Sequence, residues 1–568
     1  MKSKINKIKI AGLLSFAVFC GSLNFDASAT AQETGHPKVA EKPTPTPKQT
    51  SNPKPTIAPT LFPTPTPLPT ATPAPVPVQT ISDLQSRIRL TLSRPELRRG
   101  SVGVKIVSLD TNKVIFEENA EKYFMPASNM KSYTVAAAME KLSPDFRFVT
   151  SVYAPAMPDA NGVIRGDLSI YGRGDVSFST AFYDGDYYKG LDALAAKIVQ
   201  AGVKRIEGNL VGDESYFTGN PIPPSWEWED LQWYYGAEIS ALPVNDNAVD
   251  LSVKPNSINL PCAVQVLPAN AVMKIVNRCT TSANGAKREI QIVKKIDQNT
   301  IEINGTMPLE DKGYKGFIAV SRPAQLFVEL LRGLLIQKGV VITGQNKVIN
   351  TKGKAVSAVA SSVPPVEITK LESPPFSLVA AKTMKPSQNT YTETILWTLG
   401  EQIGRKQESP VAADEISIKK LQQTSSADLG LKVVQVFMSE IGVAPDSVIQ
   451  WDGSGLSRHN LVTPSSAVQL YTYMSKSRYA GAWRNSLTIG AMDGTLKSRF
   501  RETAAAANVR GKTGTIDQVS ALSGYVMTAS GERLVFSILV NGVNDVRLRQ
   551  AAIDEIVVAL ANFNGKTN

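Results

Sequence analysis

Between Pro37 and Pro77 the chain is dominated by proline and threonine, as in PTPTPKQTSNPKPTIAPTLFPTPTPLPTATPAPVP. Proline lacks a backbone donor and fixes φ, so this tract cannot bury a core and favours an extended polyproline II spacer. All globular structure must therefore come from the residues after about Thr80. Of the 568 residues, 42% are hydrophobic and 20% charged, enough apolar material for several domains.

The segment ahead of the spacer has the layout of an export signal. Lys2, Lys4, Lys7 and Lys9 precede an apolar run from Ile10 to Leu23, followed by Ala27-Ser28-Ala29 and Ala29-Thr30-Ala31. The apolar run is shorter than the roughly 20 residues needed to span a bilayer. Bulky Phe19 stands before Cys20, where a lipoprotein signal needs a small residue. The expectation is a signal peptide over 1–31, a linker over 32–79 and an exported protein of the periplasm or cell envelope, with peripheral association with membrane or wall.

Formal net charge is +11, but the leader and spacer hold eight lysines against three acids. No later stretch clusters Lys or Arg with interleaved aromatics, so a nucleic-acid partner is not expected. There are only two histidines, His36 and His459. A zinc site built on imidazoles is thereby disfavoured, as is a Ser-His-Asp triad, and neither metal nor cofactor is expected. Export would make Cys262 and Cys279 disulfide candidates, with two free buried thiols as the alternative.

Ile81, Leu84, Ile88 and Leu92 recur at helical spacing. SVGVKIVSLDTNKVIFEEN reads as two strands around Asp110-Thr111-Asn112. Residues 128–142 read as a largely buried helix opened by Ser128. From about 150 to 370, short apolar runs broken by Gly, Pro and Asn predict a β-rich insert, with strands in LVGDESYF, SVKPNSI, IQIVKKI and TIEINGTM and a helix over 325–338. Two strands, VSALSGYVMTA and RLVFSILVNG, and an amphipathic helix over about 545–563 close the chain.

Three short patterns carry chemistry in combination: Ser128-Asn129-Met130-Lys131, Ser387-Gln388-Asn389 and Lys512-Thr513-Gly514. On a helix, positions i and i+3 share a face, so Lys131 can set its amine beside the Ser128 hydroxyl. To take that proton Lys131 must be neutral, which desolvation and a nearby cation, with Lys512 the candidate, would promote. The Ser128 amide and a donor from the strand bearing Lys512 to Thr515 would hold an oxyanion. Gly514 would let a substrate backbone approach that strand, while Lys512, Thr513 and Thr515 would bind a carboxylate. Ser387 and Asn389 supply a hydroxyl relay and an amide.

Together with FMPASNMKSYTVAAAMEKL, GDVSF, WEWEDLQWYYGAEISAL, VNDNAVDLSV, DGSGLSRHN and GKTGT...SALSGYV, these patterns make the chain, over about 80–568, resemble the low-molecular-mass class C penicillin-binding proteins, the D-alanyl-D-alanine carboxypeptidase and endopeptidase family. The resemblance implies an α/β (α+β) penicillin-recognising domain, like that of serine transpeptidases and β-lactamases, built from 80–150 and 370–568. Inserted β-rich domains would fill 151–369, with an inner one at about 169–242. It implies acylation of Ser128, Lys131 as base, proton transfer to the leaving D-alanine through Ser387 and Lys512, and an oxyanion hole from the amides of Ser128 and Thr515.

It further implies peptidoglycan stem peptides as substrates and β-lactams as inhibitors. Arg458 and Asp230 match positions that contact the charged end of an acyl-donor side chain; Arg458 pairing with Asp452, and Asp230 capping a helix, are the alternatives. Tyr234 and Tyr235 read as packing, and Asp452, Ser454 and Ser457 as loop organisers. His459, in a turn of Gly, Ser and Asn, is not expected to act as a base. Ser132, Val176 after Gly174-Asp175, and Thr392 depart from the family pattern. The competing readings are a β-lactamase or esterase using the same acyl-serine chemistry and a catalytically silent wall-binding protein.

Overall fold

The apolar runs Val519–Met527 and Arg533–Asn541 pair antiparallel at the centre of a six-stranded sheet. Its order is Thr488–Ile489, Arg510–Ile516, Val519–Met527, Arg533–Asn541, Ser101–Ser108 and Val114–Glu118. Both central strands are buried along nearly their whole length because helices cover both faces. Ser101–Ser108 pairs with Arg533–Asn541 from Ser101↔Asn541 to Ser108↔Leu534, so the two ends of the folded chain close one sheet. This is a computed structural model, and it describes residues 78–350, 364–407 and 423–567. The expected signal peptide, and the linker up to residue 77, lie outside the described residues.

Two cores flank the sheet. On one side Leu84 and Ile88, from the helix Ile81–Leu92, meet Ile553, Ile556 and Leu560, from the helix Val546–Asn562. The first of these helices starts at Thr80, whose side chain and that of Asp83 cap each other's backbone in a capping box. On the other side lies an all-helical layer built from Lys131–Leu142, Phe376–Met384, Asn389–Leu399, Ser426–Glu440 and Pro464–Lys476. The three short motifs of the sequence sit where this layer meets the sheet.

Residues 152–368 share a third core of their own. It covers a five-stranded mixed sheet, in the order Asn346–Ile349, Leu210–Asp213, Leu168–Tyr171, Val149–Ala154 and Val366–Glu372, and three three-stranded sheets. Expected strands appear at Leu210–Asp213, Glu289–Lys294 and Thr300–Pro308, and the expected helix at Pro323–Gln337, whereas of SVKPNSI only Ser252, Val253 and Lys254 are strand, at the end of Ala248–Lys254 before Pro255. A β-rich label missed a further helix, Lys189–Gln200, whose Leu191, Leu194, Ala195 and Ile198 form its buried face. Cys262 and Cys279 are joined by a disulfide. Val176, Phe217, Trp226, Ile239 and Ala241, although within this stretch of sequence, pack into the helical core instead, which ties the insert to the site.

Candidate active site

Ser128 lies in a 3-10 turn, Ala127–Met130, and the α-helix begins only at Lys131. The expectation that Ser128 opens the helix is corrected accordingly. Ala127 takes a left-handed φ of 46°, so the chain turns sharply just before the serine. The i, i+3 spacing still delivers the lysine: Lys131 Nζ is 2.8 Å from Ser128 Oγ.

Lys131 is wholly buried. Its amine contacts Asn389 Oδ1 at 2.6 Å and the Ser454 carbonyl at 2.7 Å. A neutral amine has two N–H donors and one lone pair. The two carbonyl oxygens take the donors, which leaves the lone pair for the Ser128 hydroxyl proton. Burial pulls the Lys131 pKa down to about 7, against the upward pull of Asp452 and Glu393. Lys512 is the neighbouring cation, and each of the two buried amines disfavours charge on the other. Lys512 is held well below the usual lysine range, by burial first and by Lys131 second.

Lys512 Nζ lies 2.8 Å from Ser387 Oγ and donates to the Thr513 carbonyl at 2.8 Å. Ser387, at φ 69°, occupies the left-handed region just before the helix Asn389–Leu399. Asn389 donates from Nδ2 to the Tyr235 carbonyl at 2.8 Å, so its amide spans the insert and Lys131. Thr513 Oγ1 is 2.7 Å from Thr495 Oγ1, and Thr515 donates to the Gly514 carbonyl. A Cβ on Gly514 would lie 2.3 Å from the Pro126 carbonyl oxygen. Glycine at this position lets the strand lie close against the Ser128 turn.

The loop 452–460 fixes the Ser454 carbonyl. Buried Asp452 accepts from the amides of Gly455 and Ser457, both at 2.7 Å, from Asn460 Nδ2 at 2.8 Å and from Trp226 Nε1 at 2.9 Å. Buried Glu393 accepts from the amides of Gly453 at 3.0 Å and Ser454 at 2.7 Å. Its pKa is pushed upward by burial and by Asp452. His459 stacks edge-on against Trp451 at 4.9 Å.

Arg458 does not pair with Asp452, whose lone pairs are already engaged. It faces Glu227 at 3.0 Å, Asp230 at 3.6 Å and Asp517 at 3.7 Å. Asp230 sits inside the 3-10 turn Trp228–Gln232 rather than capping it, and burial raises its pKa. Tyr235 packs against the helical core, as expected of it. The departures from the family pattern are accommodated: Ser132 bonds the Tyr471 hydroxyl at 2.9 Å, and Thr392 donates to the Gln388 carbonyl at 2.7 Å.

Sequence reasoning thus brought Ser128, Lys131, Ser387, Asn389 and Lys512 to one place, with Thr513, Gly514 and Thr515 on the adjoining strand. It missed the carbonyls of Ser454 and Tyr235, which carry no side-chain signature, and Glu393, which sits one helical turn after Asn389. Among the described residues no group of three or more His, Cys, Asp or Glu is placed to hold a metal ion.

A D-alanyl-D-alanine carboxypeptidase from Actinomadura sp. (strain R39) is 31% identical over 499 residues, 85% of this chain and 86% of the relative. Penicillin binding protein 4 from Haemophilus influenzae shares the fold, with a TM-score of 0.68 at 21% identity over 86% of this chain and 100% of that one. The same protein complexed with a β-lactam gives 0.63 at 22% identity, over 84% and 99%. A model of the D-Ala-D-Ala carboxypeptidase 3 (S13) family matches residues 84–563, and the chain belongs to that family.

Proposed function

We propose that the protein is an exported serine DD-peptidase that hydrolyses D-alanyl-D-alanine termini, D-alanyl cross-links of peptidoglycan, or both, through an acyl-enzyme on Ser128. The observation that carries this reading is the wholly buried Lys131 amine, 2.8 Å from Ser128 Oγ with its other contacts made to two carbonyl oxygens. Neutral Lys131 takes the hydroxyl proton as Ser128 attacks the penultimate D-alanine carbonyl. The Ser128 and Thr515 amides hold the oxyanion. Ser387 then passes a proton to the leaving D-alanine amine, with Lys512 as its source. The terminal carboxylate docks on Lys512, Thr513 and Thr515, and its negative charge counters the burial that disfavours protonated Lys512.

Arg458, ringed by Glu227, Asp230 and Asp517, gives the acyl-donor side chain a subsite with one cation and three carboxylates. That balance suits a side chain ending in an amine or a zwitterion. β-Lactams acylate the same serine and, hydrolysed slowly, act as inhibitors. Among the described residues no helix is long and apolar enough to cross a membrane.

The test is incubation of the protein with pentapeptide and cross-linked muropeptides, beside Ser128→Ala, with products followed by mass spectrometry. Loss of terminal D-alanine or conversion of dimers to monomers, absent in Ser128→Ala, is expected. Unchanged substrates, or equal turnover by Ser128→Ala, would overturn the reading.

A further inference from the structure

Asn245, Asp246 and Asn247 hold φ of 45°, 61° and 55°, three consecutive non-glycine residues in the left-handed region. Asn and Asp tolerate that region better than other residues, yet a run of three is costly and persists only where its surroundings impose it. Here they do. The Asn245 amide donates to the Phe178 carbonyl at 2.8 Å and Asn247 Nδ2 to the Glu238 carbonyl at 2.8 Å. The Val244 amide donates to Asn247 Oδ1 at 3.1 Å, and the Val320 amide to the Asn247 carbonyl at 2.8 Å. The two asparagines lock the turn into the insert, and Asp246 is the residue the turn presents.

Asp246 faces the catalytic motif. Its Oδ2 accepts from Gln388 Nε2 at 2.6 Å, and its Oδ1 accepts from Ser179 Oγ at 2.7 Å and the Tyr391 hydroxyl at 2.5 Å. Gln388 is the middle residue of Ser387-Gln388-Asn389. It stands at the N-cap of the Asn389 helix without capping it, because its side chain is turned to Asp246. The preceding Ser387 is left-handed and has to hold its hydroxyl 2.8 Å from Lys512, while Asn389 must meet Lys131. A backbone in that conformation between two catalytic side chains needs an external restraint.

We infer that Asp246 is a positioning residue for Ser387 and Asn389, clamping Gln388 from the insert, so that the insert completes the catalytic geometry as well as shaping the groove. This rests on the acyl-serine reading above. Tyr391, two residues beyond Asn389, shares the same half-buried carboxylate, so one side chain fixes both sides of Asn389.

The test is the rate constant of acylation by benzylpenicillin in the full-length protein, with the dissociation constant of the initial complex and Tm measured alongside. Gln388→Glu sets a carboxylate against Asp246 and should slow acylation about 10- to 100-fold, with initial binding within about twofold of wild type. Adding Asp246→Asn restores a complementary set: the amide oxygen accepts from Ser179 and Tyr391, and the NH2 donates to the introduced carboxylate. The double variant should recover to within about threefold of wild type.

Wild-type acylation by Gln388→Glu, or a folded double variant that stays as slow as Gln388→Glu, would overturn the inference. Should Gln388→Glu fail to fold, the cycle of Asp246→Ala and Gln388→Leu decides. Losses in acylation that do not add support the clamp, and additive losses sink it. Absence of any wild-type acylation would instead overturn the acyl-serine reading, and the clamp with it.

Discussion

At the scale of single residues, the site is defined by how two lysines are desolvated. Lys131 and Lys512 are both wholly buried, and burial favours the neutral amine, the form in which Lys131 can act as a general base. The sequence spacing revealed which side chains would meet. It could not reveal that backbone carbonyls of Ser454 and Tyr235 orient them, because any residue type provides a carbonyl. Gly514 is the sharpest single test of the geometry. Gly514→Ala would drive a methyl group against the Pro126 carbonyl, parting the strand from the Ser128 turn. Acylation by benzylpenicillin should fall by at least about tenfold, with Tm lowered by several degrees; an unchanged rate would show that the two segments need not touch.

At the scale of elements, the loop 452–460 acts as a bracket between the Asn389 helix and the Lys131 helix. Asp452 gathers four donors, and Glu393 two. Asp452→Asn replaces a carboxylate oxygen by an NH2 that faces donors, so it should destabilise the protein by about 2–3 kcal/mol in denaturant titrations. It should also suppress acylation by releasing the Ser454 carbonyl from Lys131. The role of Asp452, Ser454 and Ser457 in ordering this loop was legible from their turn chemistry. Of the groups around Arg458, the resemblance put Asp230 at the same subsite, whereas Glu227 and Asp517, from two distant segments, were not legible. The helix Lys189–Gln200 was missed although KGLDALAAKIVQ has helical periodicity, because the surrounding short strands set the reading of the whole stretch.

For the described part of the molecule as a whole, both ends of the folded chain build the main sheet, the middle builds a third core of its own, and Trp226, Tyr235 and Asp246 of the inserted stretch reach the site. This discontinuity was legible from the motif order and the family resemblance, since periodicity alone cannot pair Ser101–Ser108 with Arg533–Asn541. The disulfide closes a loop of separation 17 within the insert. Replacing it by Cys262→Ala with Cys279→Ala should cost about 3 kcal/mol of stability, on loop-entropy grounds. Acylation of Ser128 should stay at its wild-type rate, because neither cysteine contacts the site residues. A lost or strongly slowed acylation would show that the insert core and the site are coupled more tightly than their contacts imply.

The central claim is that a neutral Lys131 activates Ser128, and the pH dependence of the benzylpenicillin acylation rate tests it most directly. The pKa of Lys131 is depressed to about 7 by burial, so the competent, deprotonated form is scarce below that pH and predominates above it. The rate is predicted to rise with pH as a single ionisation with its midpoint near 7. A rate that is flat from about pH 5 to 9, or that climbs only toward the ordinary lysine range near about 10, would contradict the account.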